Sequence, residues 1–165
     1  MTDVVGDIML EEGWPEFTDR PDDRGGPTKG GITLAALSNY LGRPATVDEL
    51  RNLDASVGRD LYSRKYVAPF AGIADSCARD VMIDSAVTSS NERSIRWLQN
   101  VLGLKEDSIL GPVTIAAANA LPGDVLLKKL VAHRCRMIAG DVRDNPSQIK
   151  FLAGWIARAV KPLEQ

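Results

Sequence analysis

Between Trp14 and Thr33 the chain carries Pro15, Pro21, Pro27, Gly25, Gly26, Gly30 and Gly31, with Asp19, Asp22 and Asp23 among them. That density excludes a continuous helix or a long strand, because proline removes backbone donors and glycine favours turns. Asp23-Arg24-Gly25-Gly26 is itself a turn signal. The segment therefore reads as an irregular arm or a small β-hairpin, and the rest of the chain must supply the frame that holds it.

That frame reads as helices. Thr2 or Asp3 caps a first helix with Val4, Val5, Ile8 and Met9 on one face, ended by Gly13 and Pro15. Thr33 caps a second carrying Leu34, Leu37 and Leu41, closed by Gly42 and Pro44. Thr46-Val47-Asp48-Glu49 is a capping box, and Val57 and Leu61 share a face of a helix spanning 55–67 that Pro69 ends. The small-residue face of Val81, Met82, Ser85 and Ala86 predicts a buried helix.

Beyond it, Asn91 caps a helix with the stripe Ile95, Leu98, Val101 and Leu102, ended by Gly103. Pro112 opens another that continues over 115–121, and Asp124 caps a long helix through Ile138. After a loop ending at Asn145-Pro146, Ile149, Leu152, Trp155 and Ile156 mark a last helix that runs out near Pro162. The fold class is mainly α. At 165 residues the chain fits a single domain with two lobes, about 1–90 and about 91–165.

A net charge of −2 argues against a duplex nucleic-acid partner, which needs many phosphates neutralised. The basic group Lys128, Lys129, Arg134 and Arg136 reads as a solvated helix face. Cys77 and Cys135 are too few and too far apart for a disulfide framework or a zinc site, and read as buried, reduced core residues. His133 reads as a surface or satisfied residue rather than a ligand. The first residues lack a basic, apolar leader, so synthesis in a cytoplasm without stable membrane insertion is expected.

Helix geometry separates Glu12 from its neighbour Glu11. Counting back from Glu12 by helical steps meets Met9, Ile8, Val5 and Val4, an apolar face, whereas Glu11 has Asp7 and Asp3 behind it. An inward carboxyl among apolar groups stays protonated more readily, as a general acid requires. Glu12 is the candidate acid; a bland pairing with Arg20 or Arg134 is its competitor. Trp14 offers a flat face for a sugar ring, Asp22, Asp23 and Thr28 are placed to orient water or steady a cationic transition state, and Gly31 lets backbone approach a bulky substrate. A phosphate-binding loop is a poor fit, since Lys29 is followed by Gly30 and no strand clearly precedes the run.

These residues resemble a known family. Glu12-Gly13, Asp23-Arg24-Gly25-Gly26-Pro27-Thr28 and Gly31-Ile32-Thr33 are similar to the N-terminal signature of glycoside hydrolase family 108, the phage and bacterial N-acetylmuramidases. Ile83-Asp84-Ser85-Ala86-Val87 resembles its central segment. Leu98-Gln99, Leu102-Gly103, Asp107 and Gly111-Pro112-x-Thr114, then Arg134 and Phe151 through Arg158, resemble its helical peptidoglycan-binding half. Trp14 and Pro15 depart from the family's Gly-Tyr, the spacer to Asp23 is about two residues longer, and Thr88 and Ser90 replace its usual Asn and Gly.

The resemblance implies a lysozyme-like helical bundle and Glu12 as the catalytic glutamate. The reaction it implies is hydrolysis of the β-1,4 bond between N-acetylmuramic acid and N-acetylglucosamine in peptidoglycan. Asp22 or Asp23 is the second acidic group: Asp22 stands six residues before Thr28, as in the phage lysozymes, while Asp23 aligns with the family motif. Trp14, Gly31 and Asp84 are candidate substrate contacts, although Asp84 also suits a pair within the bundle. No metal or cofactor is required, a monomer is expected, and the natural role is a phage endolysin held in the host cytoplasm until a holin or similar route releases it to the wall. The rivals are a lytic transglycosylase and a non-enzymatic wall-binding phage protein.

Overall fold

The first helix, α1 (Val4–Glu11), starts where the Asp3 carboxylate accepts the Gly6 N–H at 3.1 Å, and buries Ile8 and Met9. In this computed structural model residues 3–19 and 26–164 are described. The chain divides into two compact units, Met1–Ala68 and Pro69–Gln165.

In the first unit the arm is a small antiparallel sheet of three two-residue strands in the order β1 (Phe17–Thr18), β2 (Thr28–Lys29), β3 (Ile32–Thr33). Lys29 pairs with Ile32, leaving a two-residue turn at Gly30-Gly31 with φ of +49° and +74°. Positive φ at both central positions belongs to the primed hairpin turns, whose twist suits antiparallel strands. Lys29 Nζ donates to the carbonyls of Arg51 and Leu53 at 2.8 and 2.9 Å, tying the sheet to the helices behind it.

Those helices are α2 (Leu34–Leu41), α3 (Val47–Arg51) and α4 (Ala55–Tyr62). Thr33 and Gly42 cap α2 and the Thr46–Glu49 box caps α3, as the sequence signals require. The helix expected over 55–67 ends as α-helix at Tyr62 and continues as a π-helical turn, Ser63–Val67, then a 3₁₀ turn, Ala68–Phe70.

The second unit packs α5 (Ser76–Thr88), α6 (Asn91–Leu102), α7 (Pro112–Asn119), α8 (Gly123–Asp144) and α9 (Leu152–Val160). Helix α5 is buried through Ala78, Val81, Met82, Ile83, Ser85 and Ala86, the small-residue face expected of it, and meets both α6 and α8. Gln99 organises the loop after α6. Its amide donates to Asp107 at 2.7 Å and to the Ile109 carbonyl at 3.1 Å, while its oxygen accepts the Ser108 N–H.

Several local expectations are corrected. Ser90, not Asn91, caps α6. Helix α8 begins at Gly123, so Asp124 lies in its first turn and pairs with Lys128 at 2.9 Å. It also runs unbroken to Asp144, where a loop was expected after Ile138; the last helix opens as a 3₁₀ segment, Pro146–Phe151, before α9. Cys77 and Cys135 are free and partly exposed rather than buried. His133 is buried with Nε2 unpartnered, because it sits on the core face of α8 beside Trp97.

Candidate active site

Glu12 is the residue at which α1 stops. Trp14 N–H donates to the Met9 carbonyl at 2.8 Å and Gly13 N–H to the Leu10 carbonyl at 3.1 Å, with Gly13 at φ +84°. This is the Schellman arrangement, which needs a left-handed residue just past the cap and therefore favours glycine there. Glu12 is thus fixed at the cap by the backbone on both sides. Its residue is exposed, which corrects the expectation of an inward carboxyl: the last turn unwinds from the apolar face at Glu12 (φ −82°, ψ +5°).

The Glu12 carboxylate faces the β2–β3 turn. A Cβ at Gly31 would stand 2.8 Å from Tyr62 Oη, 3.1 Å from Glu12 Oε2 and 3.4 Å from Glu12 Cβ, so the three groups converge with no space for a larger residue. Tyr62 is 5% exposed and donates its hydroxyl hydrogen to the Gly30 carbonyl at 2.7 Å. Burial first, and the adjacent Glu12 charge second, push that hydroxyl above its ordinary pKa, so it stays protonated. Tyr62 was not singled out from the sequence. A second tyrosine at the helical spacing, Tyr66, was the available hint; the rings lie 5.6 Å apart.

Thr28 sits on β2 with its hydroxyl 2.8 Å from that of Thr18. Trp14, joined to Pro15 by a cis bond, is half-buried with its indole against Gly30 and Gly58; a Cβ at either glycine would come within 2.9 Å of the ring. Lys29 Nζ lies 5.2 Å from the ring centre. The unit therefore brings Glu12, Trp14, Thr28 and Gly31 to one hairpin. Asp22, Asp23 and Arg20 lie outside the described residues.

In the second unit, Asp84 on α5 is held by two arginines. Arg158 donates Nε and Nη2 to Oδ1 at 2.8 and 2.5 Å, and Arg134 forms an ion pair with Oδ2. Arg134 is 5% exposed, so it is not part of a solvated basic face, and its partner is Asp84 rather than Glu12. The trio ties α5, α8 and α9 together, the pairing that the sequence reading held open for Asp84. Among the described residues no group of three or more His, Cys, Asp or Glu side chains is arranged to hold a metal.

The mainly helical fold with its small three-stranded antiparallel sheet is lysozyme-like. The sequence model described as Glycosyl hydrolase 108 matches residues 5–89, more than half of the chain, and the chain belongs to that family. A second model, described as Predicted Peptidoglycan domain, matches residues 93–160. The chain is similar to a solved structure titled "Structure of Brucella abortus SagA", with a TM-score of 0.74 and 28% identity over 96% of this chain and 88% of that one. No curated protein matches it. Together the two matched regions make the protein a peptidoglycan hydrolase.

Proposed function

We propose that the protein is an N-acetylmuramidase that hydrolyses the β-1,4 bond between N-acetylmuramic acid and N-acetylglucosamine, with Glu12 as general acid. The observation that carries this reading is the placement of Glu12 at a rigid helix cap, exposed and directed at the Gly31 turn, inside the segment matching the glycosidase family. In this reading Glu12 gives its proton to the leaving glycosidic oxygen as the bond breaks. Asp22 or Asp23, with Thr28, serves the opposite face of the sugar, where positive charge develops and water attacks.

Gly31 keeps the turn low enough for a sugar to reach Glu12, and Trp14 stiffens the hairpin while its free edge meets the glycan. Asp84, engaged by Arg134 and Arg158, acts through the packing of its helices. An endolysin role, with release from the host cytoplasm to the wall through a holin, completes the proposal. Its check is lysis of cells expressing the protein only when a holin is supplied.

The test of the chemistry is a pair of variants on purified peptidoglycan. Glu12→Gln keeps the fold and wall binding but loses nearly all clearing activity, and Glu11→Gln retains it. A Glu12→Gln protein as active as the wild type ends the assignment.

A further inference from the structure

Of the basic residues gathered on α8, Arg134 is buried against Asp84, and the other three line a groove. The groove has a volume of about 410 Å³, within the range of ligand clefts. Its walls are Lys128, Lys129, Ala132 and Arg136 of α8 and Asn100 and Val101 of α6, all within the second unit. No acidic side chain is among them. Two acids nearby are already engaged, since Asp124 pairs with Lys128 at 2.9 Å and Glu106 accepts from the Asn100 amide at 2.7 Å. Among the described residues Lys129 and Arg136 have no ion-pair partner, and both are exposed. They stand two turns apart on one helix, a rise of about 10 Å.

We propose that this groove binds the carboxylates of the peptidoglycan stem peptide, Lys129 and Arg136 each taking one, so that the second unit holds the wall by its peptide rather than by its sugars. Charge complementarity selects the occupant. The N-acetylated glycan strand is uncharged, because each lactyl carboxyl is closed as an amide, and the carboxylates of peptidoglycan all lie on the stem. An extended peptide advances about 3.3–3.6 Å per residue, so carboxylates two to three residues apart span about 7–11 Å, the separation of the two cations. Ala132 between them is small and Val101 opposite is apolar, which leaves room for a peptide backbone. Both walls fall within residues 93–160, the region matching the peptidoglycan domain.

The experiment titrates the full chain, by calorimetry at low salt, with the N-acetylated tetrapeptide L-Ala-γ-D-Glu-meso-diaminopimelate-D-Ala and with the same peptide amidated at its carboxyls. The free acid binds about tenfold more tightly, and its affinity falls as salt is raised. Lys129→Gln and Arg136→Gln, both at exposed positions, each weaken it about three- to fivefold, and together about tenfold. Lys161→Gln, an exposed lysine of the same unit outside the groove, leaves it unchanged. The sole histidine gives a second readout. Burial first, and then the charge of Arg136, hold His133 below its ordinary pKa against the opposing pull of Glu106. A carboxylate seated at Arg136 offsets that charge, so saturating peptide raises the His133 pKa followed by NMR, and does not do so in Arg136→Gln.

Equal affinity for the acid and the amidated peptide overturns the proposal, as do an unchanged His133 titration and groove variants that lose no more than Lys161→Gln. Inorganic phosphate displacing the peptide at equal concentration also overturns it, since the groove would then take any anion. The probe contains no glycosidic bond, so none of these results depends on Glu12 being the general acid.

Discussion

Replacing Gly31 with alanine tests whether Glu12, Tyr62 and the hairpin turn form one fitted unit. Two costs arise. At φ +74° an L-residue is strained by about 1–2 kcal/mol. The new methyl would also lie 2.8 Å from Tyr62 Oη and 3.1 Å from Glu12 Oε2, where ordinary contact begins at 3.4 Å. Overpacking of this kind costs about 1–3 kcal/mol, and the hydroxyl cannot retreat without loosening its bond to Gly30. Gly42→Ala is the matched control, since φ there is +67° and nothing lies within 4 Å of the added carbon. For a chain of this size about 1 kcal/mol moves Tm by about 2–4 °C, so Gly42→Ala is expected to lower it by about 4 °C and Gly31→Ala by about 10 °C. Assayed well below both transitions, Gly31→Ala loses about tenfold in kcat/KM because the carboxylate is displaced by a few tenths of an ångström, while Gly42→Ala keeps wild-type activity. Equal Tm losses and equal activities would refute the convergence on Glu12.

Tyr62→Phe leaves the buried Gly30 carbonyl without its donor and is expected to cost about 1–2 kcal/mol in denaturant unfolding, with a fall in activity on peptidoglycan. Asp84→Asn removes the counter-charge of Arg134 and Arg158 and is expected to destabilise the second unit by about 3 kcal/mol, the lower end for a buried pair because Asp84 is 23% exposed; chemical denaturation measures it. Glu49 is held at a pKa of about 2, below its ordinary 4.5, by Arg43 first and then the Thr46 N–H. A depressed carboxylate stabilises the fold above its ordinary pKa and loses that contribution as pH falls toward the folded value. The Tm difference between wild type and Glu49→Gln is therefore full near neutrality and vanishes from pH 4.5 down to about 2.

The helices were legible because caps and stripes are local. Asp3, Thr33, Thr46 and Gly103 each act within one turn of their own element, and each does what its residue type requires. The family motif around Glu12 was legible for the same reason, as the Schellman cap and the Gly30-Gly31 turn are written in short runs. Long-range partners were not legible. Asp84 and Arg158 are 74 residues apart in sequence, and nothing in the neighbourhood of either names the other. The direction of Glu12 was misjudged because helical periodicity holds only while the helix lasts, and α1 ends at Glu11. Tyr62 escaped notice since its role depends on a carbonyl 32 residues away, and the π-turn beyond it has no periodic signature.

The measurement that tests the central claim most directly is mass spectrometry of the soluble products from purified peptidoglycan treated with wild-type protein and with Glu12→Gln. The account expects muropeptides ending in reducing N-acetylmuramic acid from the wild type, each carrying the added water, and none above background from the variant. Products ending in 1,6-anhydro-N-acetylmuramic acid, or the same reducing products from Glu12→Gln, would contradict it.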